Sequence, residues 1–236
     1  MISVVIRTKN EQEWLRRCLT AVSMQDHPLF EVVVVDNDSV DGTRSIARRF
    51  GCRIVSISDR HFRYGRALNR GFQHARGDLV AILSGHCIPS HDHWLSTLAA
   101  HFEDPQVVGV YGRQVPLPDS HPFDKRDLWT TFGIERRVQR VDYFFHNANS
   151  MVRRETWKRI AFDNDINGVE DRDWAKRVLA AGHRIVYEPL AVVHHHHGIH
   201  QGLDPQRAER VVRIIQMISN GSPARPASGH QPFVDR

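Results

Sequence analysis

Short, wholly apolar runs alternate along this chain with segments whose apolar residues recur every three or four positions. "ISVVI" is the first run, and "NEQEWLRRCLTAVSMQ" follows it with Trp14, Leu15, Cys18, Leu19 and Val22 on one helical stripe. Asn10 with Glu13 three residues on predicts a capping box at that helix start. "EVVVVDND" leads into "DGTRSIARRF", a helix opened by Asp41, and the unit repeats as "CRIVSI" before "YGRALNRGFQHA" and "DLVAILS" before "HDHWLSTLAAHF". Strands apolar at every position, alternating with helices, predict an α/β fold: a Rossmann-like, mostly parallel central sheet with helices on both faces.

The rhythm stops after "VVGVYG". Residues 113–140, with prolines at 116, 118 and 122 and many charges, read as a long loop or small insertion over the sheet. "RVDYFFHNANSMVRRETW" reads as a strand entering a short helix. "DRDWAKRVLAAG" is a helix with Asp171 at its start, Trp174, Val178 and Leu179 on its buried side and Gly182 at its end. "HRIVYEP" and "AVVHHHH" read as strands, and residues 204–219 as a basic amphipathic helix with Ala208, Val211, Val212 and Ile215 on one face. The remainder, 220–236, has the composition of a disordered tail.

A chain of 236 residues, 41% hydrophobic, supports a packed globular core. It holds no run near the ~20 apolar residues of a membrane span, and "MISVVIRTKN" reads as a first strand with no leader, so a cytoplasmic protein is expected. Cys18, Cys52 and Cys87 are odd in number and form no C-x-x-C pair, which predicts buried thiols without disulfides. A net charge of +5 favours anionic partners without choosing among them.

In an open parallel sheet ligands bind beyond the carboxyl ends of the strands, and here those ends read "RTKN", "DNDSVDGT" and "SGHCIP". No G-x-G-x-x-G or P-loop is present. Carboxylates at a strand end suit ribose hydroxyls and a base edge instead, because they accept hydrogen bonds from O–H and N–H.

These segments, with "FRYGRALNRGFQHARGDLVAILS", resemble the nucleotide half of family 2 glycosyltransferases. "HNANSMVRRETW", "GVEDRDWAKRVLAAG" and "YEPLAVVHHHH" are similar to its acceptor half, in the rhamnosyltransferase-like branch. The resemblance covers roughly residues 2–200. It implies a GT-A catalytic domain over residues 1–203, with 1–90 as the nucleotide half and 91–203 as the acceptor half. It also implies a nucleotide-diphosphate sugar donor and transfer with inversion. Asp36 and Asp38 match the base-and-ribose positions, though turn and cap roles also suit such residues. Thr8, Asn10 and Glu11 lie in the first loop, where a pyrimidine pocket is expected, with Asn10 alternatively a cap. Tyr64, Gly65, Arg66 and Asn69 occupy the loop that approaches the diphosphate; Arg66 is either a forked phosphate partner or a solvated arginine. Asn147 and Asn149 are candidates for sugar contact.

The chain departs from the family's pattern where a D-x-D should hold a divalent cation: it reads Gly85, His86, Cys87, Ile88, with no carboxylate. Imidazole suits a softer transition metal better than magnesium or manganese. On a strand His195 and His197 share a side, and His194 and His196 the other. Two readings stand: His86, His195 and His197 around a metal, or a metal-independent site in which imidazoles meet the diphosphate directly. An acceptor hydroxyl needs a general base. Asp171 matches the second residue of the family's E-D pair, with Glu170 as its neighbour or alternative, and both also favour a helix N-terminus.

The expected activity is transfer of a sugar to a glycan or lipid-linked acceptor, at the inner membrane face if the basic helix rests on anionic lipid, unless that helix is a homodimer contact. The alternatives are a nucleotide-sugar-binding module with a decayed D-x-D, and a nucleotidyltransferase, whose glycine-rich pyrophosphate loop is missing. No aromatic-basic platform for nucleic acid is present.

Overall fold

A computed structural model of the chain describes residues 1–166, 168–197 and 205–219. The first half runs β1 (Ile2–Thr8), α1 (Gln12–Ser23), β2 (Phe30–Asp36), α2 (Thr43–Arg49), β3 (Arg53–Ser56), α3 (Tyr64–His74), β4 (Leu79–Ser84) and β5 (Cys87–Pro89). The second runs α4 (Trp94–Ala99), β6 (Val107–Pro116), α5 (Pro122–Thr131), β7 (Arg137–Gln139), β8 (Asn149–Arg153), α6 (Arg154–Arg159), α7 (Glu170–Ala180), β9 (Arg184–His195) and α8 (Pro205–Ser219).

One sheet orders the strands β3-β2-β1-β4-β8-β6-β9-β5, with β7 also pairing β9. Its first part, β3 to β4, is parallel throughout, and so is β6 with β9. Antiparallel β8 joins β4 to β6, and β5 and β7 pair antiparallel with β9. The apolar runs are explained by two cores. Val5 packs on one face with Val33, Val35, Leu68, Phe72 and Trp174, while Val4 and Ile6 pack on the other with Leu15, Cys18 and Trp94. Successive strand residues point to opposite faces, so a strand buried on both sides has no polar positions.

Several expectations change. The capping box does not form: Asn10 has φ 51 and its Oδ1 accepts from the Val40 N–H, while Glu13 pairs with Arg16. Asp41 serves both helices instead, its two oxygens accepting from Thr43 N–H at 2.9 Å and Gln12 N–H at 3.1 Å. Trp14 is half-buried at the rim, its ring 4.0 Å from that of His196. The stretch 113–140 holds the end of β6, α5 and β7. Its helix was hard to read because only Asp124 and Leu128 of α5 are buried, too few for a period. The two last strands are one, β9, with a register shift against β6 between Gly112 and Gln114 that takes up Pro189.

Gly182, with φ 83, ends α7 as expected, its N–H donating to the Leu179 carbonyl at 2.9 Å. In α8 the inward residues are Val211, Ile214, Ile215 and Ile218, while Val212 is exposed. The Tyr143 hydroxyl meets Ser219 Oγ at 2.8 Å and Lys176 donates to the Ile218 carbonyl, so α8 returns to α7 and the segment before β8. The Ala208 side chain and the tail 220–236 lie outside the described residues. Cys18 and Cys87 are buried, Cys52 is half-buried, and all three are free thiols. Among the described residues no helix is long and apolar enough to cross a membrane.

Candidate active site

The tips of β1, β2 and β4 and the start of α7 meet on one rim of the sheet. Asp36 ends β2 fully buried, with Oδ2 accepting from the Ser39 N–H at 3.3 Å and standing 3.7 Å from Arg44 Nε. Its Oδ1 is buried without a hydrogen-bond partner, as is Oδ1 of Asn37 beside it. A buried carboxylate oxygen left without a donor is costly and suits a ligand hydroxyl or N–H. Asp38 is exposed at φ 48 and accepts from the Asp59 N–H at 2.8 Å, which ties down the loop after β3.

Beyond β1, Thr8 Oγ1 donates to Glu11 Oε2 at 2.9 Å, and the other oxygen of Glu11 contacts His86 Nδ1. Gly85 makes this approach possible: a Cβ there would lie 2.5 Å from Glu11 Oε2 and 2.8 Å from Thr8 Oγ1. His86 Nε2 faces His195 Nε2 at 3.1 Å. β5 supplies the geometry, because antiparallel pairing sets Cys87 directly opposite His195 at the end of β9. The His197 ring lies 4.3 Å from that of His86 and 4.8 Å from that of His195, although His197 is past the strand end. His194 and His196 diverge from this group, His196 turning onto Trp14.

This donor set fits a transition ion. A ligating imidazole characteristically sets its second nitrogen against a carboxylate, and His86 sets Nδ1 against Glu11 while Nε2 points to His195. Burial, and after it the charges of His86, His197, His146 and His196, hold His195 well below the usual histidine range, which favours a neutral nitrogen donor. Cys87 Sγ lies within 4.8 Å of the ligand atoms of His86 and His195. Imidazoles with a nearby thiol match zinc or cobalt better than magnesium.

The acid pair opens α7. Val169 enters it at φ 59, a left-handed conformation costly for a β-branched residue and kept only where surrounding contacts dictate it. Glu170 and Asp171 are both buried. The Asn147 N–H donates to Asp171 Oδ2 at 3.2 Å, its Nδ2 donates to Glu170 Oε1 at 3.3 Å, and the Arg172 N–H donates to Asp171 Oδ1 at 2.9 Å. Burial first, then the Asp171 charge, pushes the Glu170 carboxyl up to about 7 against the opposing pull of Arg7. Arg7, next to Thr8, places Nη1 3.6 Å from Glu170 Oε1, which joins the acid pair to the end of β1.

Two of the expected ligand-contact residues have carboxamides engaged by protein groups. Asn69 is buried, and its carboxamide is filled by protein: Oδ1 accepts from Trp157 Nε1 (2.8 Å) and Phe162 N (3.2 Å), while Nδ2 donates to the Phe162 carbonyl (2.7 Å) and Asn164 Oδ1 (3.0 Å). Asn149 likewise accepts from Trp94 Nε1 at 2.8 Å and donates to the Arg113 and Ala191 carbonyls. Asn69 ties α3 to α6 and the segment after it, and Asn149 ties β8 to α4, β6 and β9. Arg66 is partly exposed, donating to the His61 carbonyl at 3.2 Å and standing 3.6 Å from Asp165. Gly65 is required by packing, since a Cβ there would meet the Asp163 carbonyl oxygen at 2.0 Å. Asn10 bridges to the loop before α2 and is neither cap nor buried pocket residue. Arg7, Asn37 and Arg44 went unassigned from sequence; the one signal was an arginine at the end of an apolar strand.

A mixed α/β fold built on one central sheet covered on both faces is the architecture of the GT-A glycosyltransferases. The chain belongs to glycosyl transferase family 2, whose model matches residues 3–160. It is 30% identical over 195 residues to glycosyltransferase AglE of Haloferax volcanii, covering 79% of this chain and 64% of that one. It is 26% identical over 201 residues to the O-antigen chain rhamnosyltransferase WbaN of Salmonella anatum, covering 80% and 62%. The chain thus spans less than two thirds of either relative. Among solved structures it shares its fold with the mannosyltransferase PcManGT of Pyrobaculum calidifontis in complex with GDP-Man and Mn2+. The TM-score is 0.66 at 24% identity, over 92% of this chain and 69% of that one.

Proposed function

We propose that this chain is an inverting glycosyltransferase that moves a sugar from a nucleotide-diphosphate donor to a hydroxyl of a glycan or lipid-linked acceptor. Residues 1–203 act as one catalytic unit, with the nucleoside on the 1–90 half and the acceptor on the 91–203 half; two cores that each draw on both halves, one from Val5 to Tyr187 and the other from Ile2 to Val193, support this. The observation that carries the reading is the 3.6 Å approach of Arg7 to Glu170, which brings the acid pair containing the proposed base beside the end of β1 and so supports it.

Asp36 and Asn37 receive the nucleoside through their unpartnered oxygens, and Thr8 and Glu11 close the same end. Asp171 takes the acceptor's O–H proton as that oxygen attacks the anomeric carbon from the face opposite the diphosphate. The new C–O bond forms while the bond to the diphosphate breaks, its electron pair leaving with the nucleoside diphosphate, and the configuration inverts. Asn147 holds both carboxylates in place. His86 and His195, with His197, would hold a divalent ion, whose charge would offset that developing on the leaving diphosphate. The protein works at the cytoplasmic membrane face, with the basic α8 toward anionic lipid or a second copy.

The test is donor-dependent transfer or hydrolysis across a panel of nucleotide sugars, with Asp171→Asn as the variant. A loss of about 10²-fold or more, with nucleotide-diphosphate thermal stabilisation kept, supports the reading. Binding without turnover in the wild type would make the chain a binding module and overturn it.

A further inference from the structure

Arg7 stands in β1 in register with Val35 and Ser84, at the end of a strand whose other side chains are apolar or small, and its own side chain is only 12% exposed. Its Cζ lies 5.1 Å from the centre of the Tyr64 ring. Nε and Nη1 are buried without a hydrogen-bond partner, and the 3.6 Å to Glu170 is beyond hydrogen-bond reach. A guanidinium that served only to brace the fold would present its fork to the carboxylate in two short bonds. Here it is stacked on one side and held just off Glu170, with donors to spare, beside a helix entry that Val169 makes in a strained conformation.

Among the described residues, Glu170 meets groups from several elements. β1 brings Arg7, the segment before β8 brings Asn147, α3 brings Gly65 with its backbone close to the Glu170 Cβ, and α7 itself brings Asp171. Arg7 is the cation acting on this carboxylate. We propose that Arg7 is the positioning residue of the acid pair: its guanidinium, set against Glu170 in a dry wall of the site, favours the ionised carboxylate, so that the pair can meet the acceptor hydroxyl with two negative charges and Asp171 receives the proton. A proton already resting on Glu170 would leave the pair one charge and weaken its pull on the acceptor. This inference rests on the reading that Asp171 is the base.

The experiment follows Glu170 directly, by carbon-13 NMR titration of glutamate side-chain carboxyls in the whole protein, with Glu170→Gln identifying the resonance. The midpoint in the wild type is expected near about 7. Arg7→Gln should raise it by about one pH unit or more, a tenfold change in the protonation ratio, while Arg7→Lys should keep it close to wild type. In the transfer assay Arg7→Gln should lose about fivefold at neutral pH and regain rate as the pH rises, with the donor KM little changed. A brace alone would lower the rate equally at all pH values. An unmoved midpoint in Arg7→Gln overturns the proposal. If that variant does not fold, Glu170→Gln decides: a wild-type pH profile there overturns the proposal, and loss of the acid limb supports it. Wild-type protein that turns over no nucleotide sugar overturns the proposed reaction instead, and the NMR midpoint still decides whether Arg7 governs Glu170.

Discussion

Replacing Asn69 by alanine separates bracing from ligand contact most cleanly. The side chain is 7% exposed and makes all four of the hydrogen bonds a carboxamide can make, to residues 88 to 95 positions later in the chain. Truncation strands two buried donors, the Trp157 indole N–H and the Phe162 amide, each costing roughly 1–3 kcal/mol, and deprives the Phe162 carbonyl of a donor as well. Partial relaxation brings the expected loss to about 3 kcal/mol, large for a single substitution. For a chain of this size that lowers the melting temperature by roughly 6–12 °C. Urea unfolding of the two proteins measures it, with isothermal titration of nucleotide diphosphate on the folded variant as the control. A loss below about 1 kcal/mol, or a roughly tenfold fall in nucleotide affinity at unchanged stability, refutes the assignment of Asn69 to the fold.

Gly85→Ala pushes a methyl into Glu11 and Thr8, breaking the carboxylate's hold on His86; metal affinity measured by competition with a chelating dye should fall about 10–100-fold with the fold intact. Chelator-treated protein should regain activity with zinc or cobalt more readily than with magnesium, and recovery with magnesium alone would refute the imidazole site. Glu170 has a folded-state pKa raised above its unfolded value. Its contribution to stability is therefore full below about 4.5 and lost as pH rises through about 7. Glu170→Gln should flatten the stability profile in that window, and an unchanged slope between wild type and variant would refute the burial argument.

What the sequence determined alone was local or periodic. The double-faced apolar runs could satisfy no other architecture than a covered sheet, so the alternation of β1, β2 and β4 with their helices was legible, as were Gly182 as a helix end and Asp36 and Asp171 as carboxylates at element ends. These features depend on neighbours a few residues away, where spacing carries the physics. Tertiary structure decided the rest. His86 meets His195 across 109 positions, and Asn69 reaches Phe162 across 93, turned inward by partners that no period announces. Asp41 caps a helix 29 residues back, and α5 has too few buried positions to show a stripe. A buried polar atom must be paired with whatever the fold brings beside it, so whether a polar residue at a strand tip braces the protein or faces a ligand is fixed by the partners it meets in space.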